Sequence, residues 1–167
     1  MTACVFCDVV AKEAPASVVY EDSECIVIMD IFPVRVGHTL VISKQHAQHL
    51  RELSPFHREH LFDVANRVTV AQSRCGIPFD ASNLIVNDGK AANQHVPHVH
   101  IHLIPRTKKD TLAFVSSFFT RMLKVFGEES KRKRLDRTAQ RIKRQLEMDW
   151  QEKKSKLSVV DPLKALK

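Results

Sequence analysis

The run His98-Val99-His100-Ile101-His102-Leu103-Ile104 alternates imidazole and aliphatic side chains, and along a β-strand successive side chains project to opposite faces. A strand here sets His98, His100 and His102 on one face and Val99, Ile101 and Leu103 on the other. Three imidazoles on one face have two chemical uses. They can ligate a catalytic zinc and leave a fourth position open, or one of them can attack phosphorus while its neighbours serve as proton and oxyanion partners. The surroundings favour the second use. Between Asn93 and Arg106 there is no Asp or Glu to act as base for a metal-bound water or as an acceptor behind a ligand, whereas Asn87, Asn93 and Gln94 supply neutral amide donors suited to phosphate oxygens.

Upstream, Val18-Val19-Tyr20 and Cys25-Ile26-Val27-Ile28-Met29 flank the turn-prone Glu21-Asp22-Ser23-Glu24 and read as a hairpin. Pro33 has no N–H to give a ladder, and Gly37-His38 leads into a third strand, Thr39-Leu40-Val41-Ile42. Ser54-Pro55 is a helix start and Gly76 with Pro78 a stop. Between them Leu61, Val64, Ala65, Val68, Ala71 and Cys75 recur at three- and four-residue steps, which predicts one long amphipathic helix. Two more strands follow, Asn83 to Asn87 and Val99 to Ile104, joined by the loop Asp88 to Gln94. Strand runs with one intervening helix and no βαβ alternation predict an α+β fold built on an antiparallel five-stranded sheet.

The 167 residues, 44% of them hydrophobic, suffice for one compact domain with a core. There is no long apolar stretch, and Met1-Thr2-Ala3-Cys4 lacks the basic and apolar regions of a secretion signal. Four cysteines are few for a disulfide scaffold. A cytoplasmic protein with no membrane partner is therefore expected. The net charge of +7 is unevenly placed: residues 1–127 hold 13 Lys/Arg against 12 Asp/Glu, whereas residues 128–156 hold 11 against 6. The division expected is a domain over residues 1–110 and a helical, basic C-terminal extension over residues 111–167. In that extension, Leu112, Val115, Phe119, Met122 and Phe126 form one apolar stripe and Leu135, Ala139, Ile142, Leu146 and Trp150 another. The second stripe requires a surface to cover it, in this chain or in a dimer partner. Charge runs are ordinarily solvated faces, and Lys131-Arg132-Lys133-Arg134 also leaves nucleic acid open as a partner.

From Cys4 to Arg106 the chain resembles the histidine-triad (HIT) family. The resemblance rests on Gln94-His95-Val96-Pro97-His98-Val99-His100-Ile101-His102-Leu103-Ile104-Pro105-Arg106, with Cys4-Val5-Phe6-Cys7, Asp30-Ile31, Gly37-His38-Thr39-Leu40-Val41-Ile42 and Asn87-Asp88-Gly89 in the family's order. It implies a HIT-like fold, a homodimer, and a hydrolase or transferase that cleaves the α-phosphate bond of a nucleoside 5′-phosphate derivative, such as a phosphoramidate or a dinucleoside polyphosphate. His100 would be the nucleophile that forms a nucleotidyl-histidine. His98 and His102 would bind phosphate oxygens and fix the tautomer, and His38 would stand behind the triad. Asn87, Asn93, Gln94 and His95 would face the phosphate, Asp30 the ribose, and Ile28 and Ile31 a purine base. No cofactor is required for catalysis, but relatives with this N-terminal pattern hold a structural zinc, here through Cys4, Cys7, His46 and His98. The chain departs from the family where Asn93-Gln94-His95 replaces Gly-Gln-Ser or Gly-Gln-Thr. Two other classes stay open: a zinc-dependent hydrolase using the three histidines as ligands, and a non-catalytic nucleotide or nucleic-acid binding module.

Overall fold

The computed structural model describes residues 4–120 and 128–159. The elements run α1 (Val5–Val10), β1 (Val18–Glu21), β2 (Cys25–Met29), β3 (Thr39–Ser43), α2 (Pro55–Arg74), β4 (Ala81–Val86), β5 (His100–Arg106), α3 (Thr111–Thr120) and α4 (Glu128–Val159), with short 3-10 turns at Leu50–Glu52 and Lys90–Ala92. The strands form one five-stranded sheet in the order β1-β2-β3-β5-β4, antiparallel throughout. This is the α+β architecture expected, with the one long helix of the domain in its expected place and a helical C-terminal segment.

Alternation divides the sheet into two faces. Cys25, Val27 and Met29 of β2, Val41 of β3, and Ile101 and Leu103 of β5 join the core formed with α2 and α4. The intervening Ile26, Ile28, Leu40 and Ile42 pack with Phe6 and Val9 of α1 on the other face. His100 pairs with Ile42 and His102 with Leu40 across the β3–β5 ladder, so both imidazoles share the face that α1 covers. Both faces of the sheet are thus apolar, and the face under α1 also carries His100 and His102.

Helix α2 begins as its sequence requires. The Ser54 hydroxyl accepts the His57 N–H at 3.2 Å, Pro55 occupies the first turn, and Gly76, at φ +75°, follows the cap at Cys75. Its buried Gln72 donates to the Gly37 carbonyl at 2.8 Å and to the Thr39 hydroxyl at 3.1 Å, which fixes the turn leading from His38 into β3. Gly37 sits at φ +87°, a conformation that strains any residue with a Cβ, and a Cβ there would also displace the Ile77 side chain.

The apolar stripe of α4 finds its surface within the chain. Leu135, Ala139, Ile142 and Leu146 are buried against α2, β1 and β2, and they belong to the same core cluster as the sheet. Trp150 instead lies half-exposed over the Arg67 guanidinium, 5.0 Å from its ring centroid. Asp136 accepts the Ser17 hydroxyl at 2.5 Å, and Arg74 pairs with Asp149 at 3.0 Å. Helix α3 is held at its start, where Asp110 binds both Arg106 and Arg35, but Leu112 is 87% exposed, so the expected stripe does not close there. Met122 and Phe126 of that stripe lie outside the described residues. Among the described residues, no helix is long and apolar enough to cross a membrane.

Candidate functional site

The nucleophile candidate, His100, opens β5 and is buried beneath Phe6, whose ring lies edge-on with centroids 5.0 Å apart. Its Nδ1 lies 2.7 Å from the main-chain carbonyl of His98. A carbonyl only accepts, so Nδ1 carries the proton and the lone pair resides on Nε2. The tautomer needed for attack through Nε2 is set by the backbone.

His102, two residues on, stacks edge-on against His100 with centroids 4.9 Å apart, and its Nδ1 lies 3.0 Å from Nε2 of the fully buried His38. The His38 Nδ1 receives the Val34 N–H at 3.4 Å and lies 3.4 Å from the Asp30 carboxylate. A main-chain N–H can only donate and a carboxylate only accept, so these two neighbours make opposite demands on His38 Nδ1, and His38 joins Asp30 to His102 behind the triad. Asp30 is buried at the end of β2, and its other oxygen accepts the Phe32 N–H at 2.7 Å.

His98 is placed differently from its two companions. The strand begins only at His100, because Pro97 offers no N–H, the His98 N–H turns back to the Val96 carbonyl, and the Val99 N–H goes to Ala47. The His98 Nε2 donates to the Ser43 carbonyl at 2.7 Å, which leaves Nδ1 as an acceptor. Burial lowers its pKa and keeps the ring neutral. Nδ1 lies 3.4 Å from the Cys4 sulfur, 3.6 Å from the Cys7 sulfur and 3.2 Å from the His46 Nδ1, and His46 Nδ1 lies 3.2 Å from the Cys7 sulfur. A tetrahedral zinc with ordinary bond lengths separates sulfur from nitrogen by about 3.5 Å and nitrogen from nitrogen by about 3.3 Å. The four donors fit that edge length, and a ring nitrogen bonded to a carbonyl is the usual support behind a ligating imidazole. No metal-competent group among the described residues contains His98, His100 and His102 together, so three-histidine ligation of one metal finds no geometric support.

The loop between β4 and β5 borders this face. Asn93 adopts the left-handed conformation, φ 60° and ψ 35°, at the position where the family resemblance leads one to expect glycine. The Gln94 side chain accepts the Gly89 N–H at 2.9 Å and donates to the Gln48 carbonyl at 2.7 Å, so it binds the loop to the segment that carries His46. Asn87 donates to the Asn93 carbonyl at 3.5 Å, and His95 is exposed. Ile28 is buried in the cluster with Phe6, whereas the neighbouring Ile31 is 48% exposed. Sequence reasoning missed the pair His49 and Asp88, 2.8 Å apart, which joins the same two segments. It also missed Phe6, over His100, and Gln72, behind His38. For Phe6 the available signal was its position inside Cys4-x-x-Cys7; for the others a contact across the chain was needed.

A model of the HIT domain family matches residues 11–109. An Arabidopsis thaliana protein named adenylylsulfatase HINT3 is 36% identical over 76% of this chain and 64% of its own length. The adenosine 5′-monophosphoramidase hnt1 of Schizosaccharomyces pombe is 34% identical over 64% of this chain and 77% of its own. Among solved structures, a zinc-bound histidine triad family protein from Mycobacterium smegmatis superposes with a TM-score of 0.71 at 32% identity, covering 87% of this chain and 94% of that one.

Proposed function

Since the chain belongs to the HIT domain family, we propose that it is a hydrolase or transferase that cleaves the α-phosphate bond of a nucleoside 5′-phosphate derivative through a covalent nucleotidyl-His100. The observation that carries this reading is the 2.7 Å bond from His100 Nδ1 to the His98 carbonyl, which aims an unprotonated Nε2 at the substrate side. In the first step Nε2 attacks the α-phosphorus, the nitrogen–phosphorus bond forms, and the bond to the leaving group breaks. The leaving group departs with the bonding electron pair, its developing charge met by a hydrogen bond from His102. In the second step water attacks phosphorus and loses a proton to solvent, and the nucleoside monophosphate leaves His100 with its lone pair restored. Splitting one displacement into two lowers each barrier.

Asn87, Asn93 and Gln94 form the phosphate side, with His95 toward the leaving group; Asp30 takes the ribose hydroxyls, and Ile28 and Ile31 a purine base. His98 acts on catalysis through its carbonyl, while its ring, with Cys4, Cys7 and His46, would hold zinc. Such a metal would supply no chemistry to the phosphoryl group and would fix the peptide that orients His100. A reducing cytoplasm keeps the two thiols available as ligands. The reading includes a homodimer, which sedimentation equilibrium tests.

The names of the two enzyme relatives select the substrates to try. Wild-type protein and His100→Ala are incubated with adenosine 5′-phosphosulfate and adenosine 5′-phosphoramidate. The substitution is expected to lower kcat by at least about a thousandfold, as removal of a covalent nucleophile does, and to abolish an acid-labile nucleotidyl adduct seen by mass spectrometry. Wild-type rates in His100→Ala on every cleaved substrate would overturn the assignment.

A further inference from the structure

The outward side of α4 is a basic row with no carboxylate in it. Leu135, Ala139, Ile142 and Leu146 are buried and so fix the rotation of the helix about its axis. Opposite them, from position 133 to 144, stand Lys133, Arg134, Arg137, Gln140, Arg141 and Arg144, all exposed. At 1.5 Å per residue the row is about 16 Å long. The nearby acids are turned aside: Asp136 binds the Ser17 hydroxyl and lies 3.8 Å from Arg132, and Asp149 pairs with Arg74 on α2. Glu147 comes only after the row ends. Arg141 also donates to the Gly76 carbonyl at 2.8 Å, and Arg137 to the Lys133 carbonyl at 3.2 Å, so part of the row is already ordered.

We propose that this row is a docking strip for the phosphate backbone of double-stranded nucleic acid, bound without regard to sequence. Its charge and its shape both complement a duplex. Arginine forks match phosphate oxygens in pairs, and a row carried on one helix face can meet several phosphates of a duplex at once. The row contains no aromatic side chain on which unpaired bases would stack. It contains no apolar side chain to enter a lipid surface. The strip acts independently of the chemistry at His100.

The test measures fluorescence anisotropy of labelled RNA and DNA duplexes of about 20 base pairs, of a matching single strand, and of phosphatidylserine vesicles, at salt from about 50 to about 200 mM. The full-length chain is compared with Arg134→Gln/Arg137→Gln/Arg144→Gln and with the control Lys153→Gln/Lys154→Gln, circular dichroism confirming helicity. Duplex binding by the wild type is expected to weaken at least about tenfold in the triple variant, with the log–log salt slope reduced by about three, one per lost phosphate contact. The control is expected to bind as the wild type does. Absence of duplex binding, an unchanged affinity in the triple variant, or tighter binding to single strands or vesicles than to duplex overturns the proposal.

Discussion

At the scale of single residues, the site is a set of protons placed by groups whose donor or acceptor character cannot change. The His98 carbonyl fixes the tautomer of His100 and the Ser43 carbonyl that of His98. Asn93 shows the conformational counterpart. Its left-handed backbone is tolerated by Asn, natural for Gly and costly for a β-branched residue. Asn93→Gly is expected to leave stability within about 1 kcal/mol of the parent, whereas Asn93→Val loses about 1–2 kcal/mol; urea unfolding of the two variants measures the difference. The cysteine–histidine tetrad carries its own test. Chelation of zinc, or Cys7→Ser, is expected to lower the thermal midpoint, because a structural metal binds only the folded chain. A midpoint that ignores both treatments would remove zinc from the account.

At the scale of elements, what the sequence made legible is what local pattern controls. The alternation in β2, β3 and β5 and the Ser54-Pro55 start of α2 were readable because each is set by neighbours along the chain. The six residues of α1 were not, since a helix that short carries less than two turns of periodicity. His98 continues the alternation of β5 in sequence, yet it leaves the ladder because Pro97 and the Ala47 carbonyl redirect the backbone. The pair His49 and Asp88 was invisible because it joins two loops 39 positions apart. The β1–β2 turn illustrates how one carboxylate unites elements: Asp22 accepts the Glu24 and Cys25 N–H groups at 2.9 and 2.8 Å, the Tyr20 hydroxyl at 2.8 Å and His60 of α2 at 2.7 Å. Burial alone would raise its pKa, but the Cys25 N–H, His60 and the other donors outweigh it and hold the group at about 2, below its ordinary 3.8. A depressed carboxylate stabilises the fold above its unfolded value, and the contribution disappears as pH falls through the folded one. Asp22→Asn is therefore expected to cost about 2 kcal/mol at neutral pH, a penalty that shrinks between about pH 4 and about pH 2, followed by chemical unfolding across that window.

At the scale of the whole molecule, the C-terminal helix belongs to the core. Ile142 is fully buried among residues of α2 and the sheet, so Ile142→Ala is expected to lower unfolding free energy by about 3 kcal/mol, as large-to-small core substitutions do. A value near zero, read from guanidinium titration, would mean that α4 rests on the surface. The same packing orders events in time. Ser17, beside the first strand, meets Asp136 across 119 residues, so the part of the sheet made earliest is closed by a helix made late. During synthesis β1 and β2 leave the ribosome long before their cover exists, and the domain completes its interior only once the last helix arrives. Contacts of that separation form slowly, and transiently exposed strands are prone to aggregate. A message truncated after the triad would thus yield a chain that holds His98, His100 and His102 without the helix that covers its first strands.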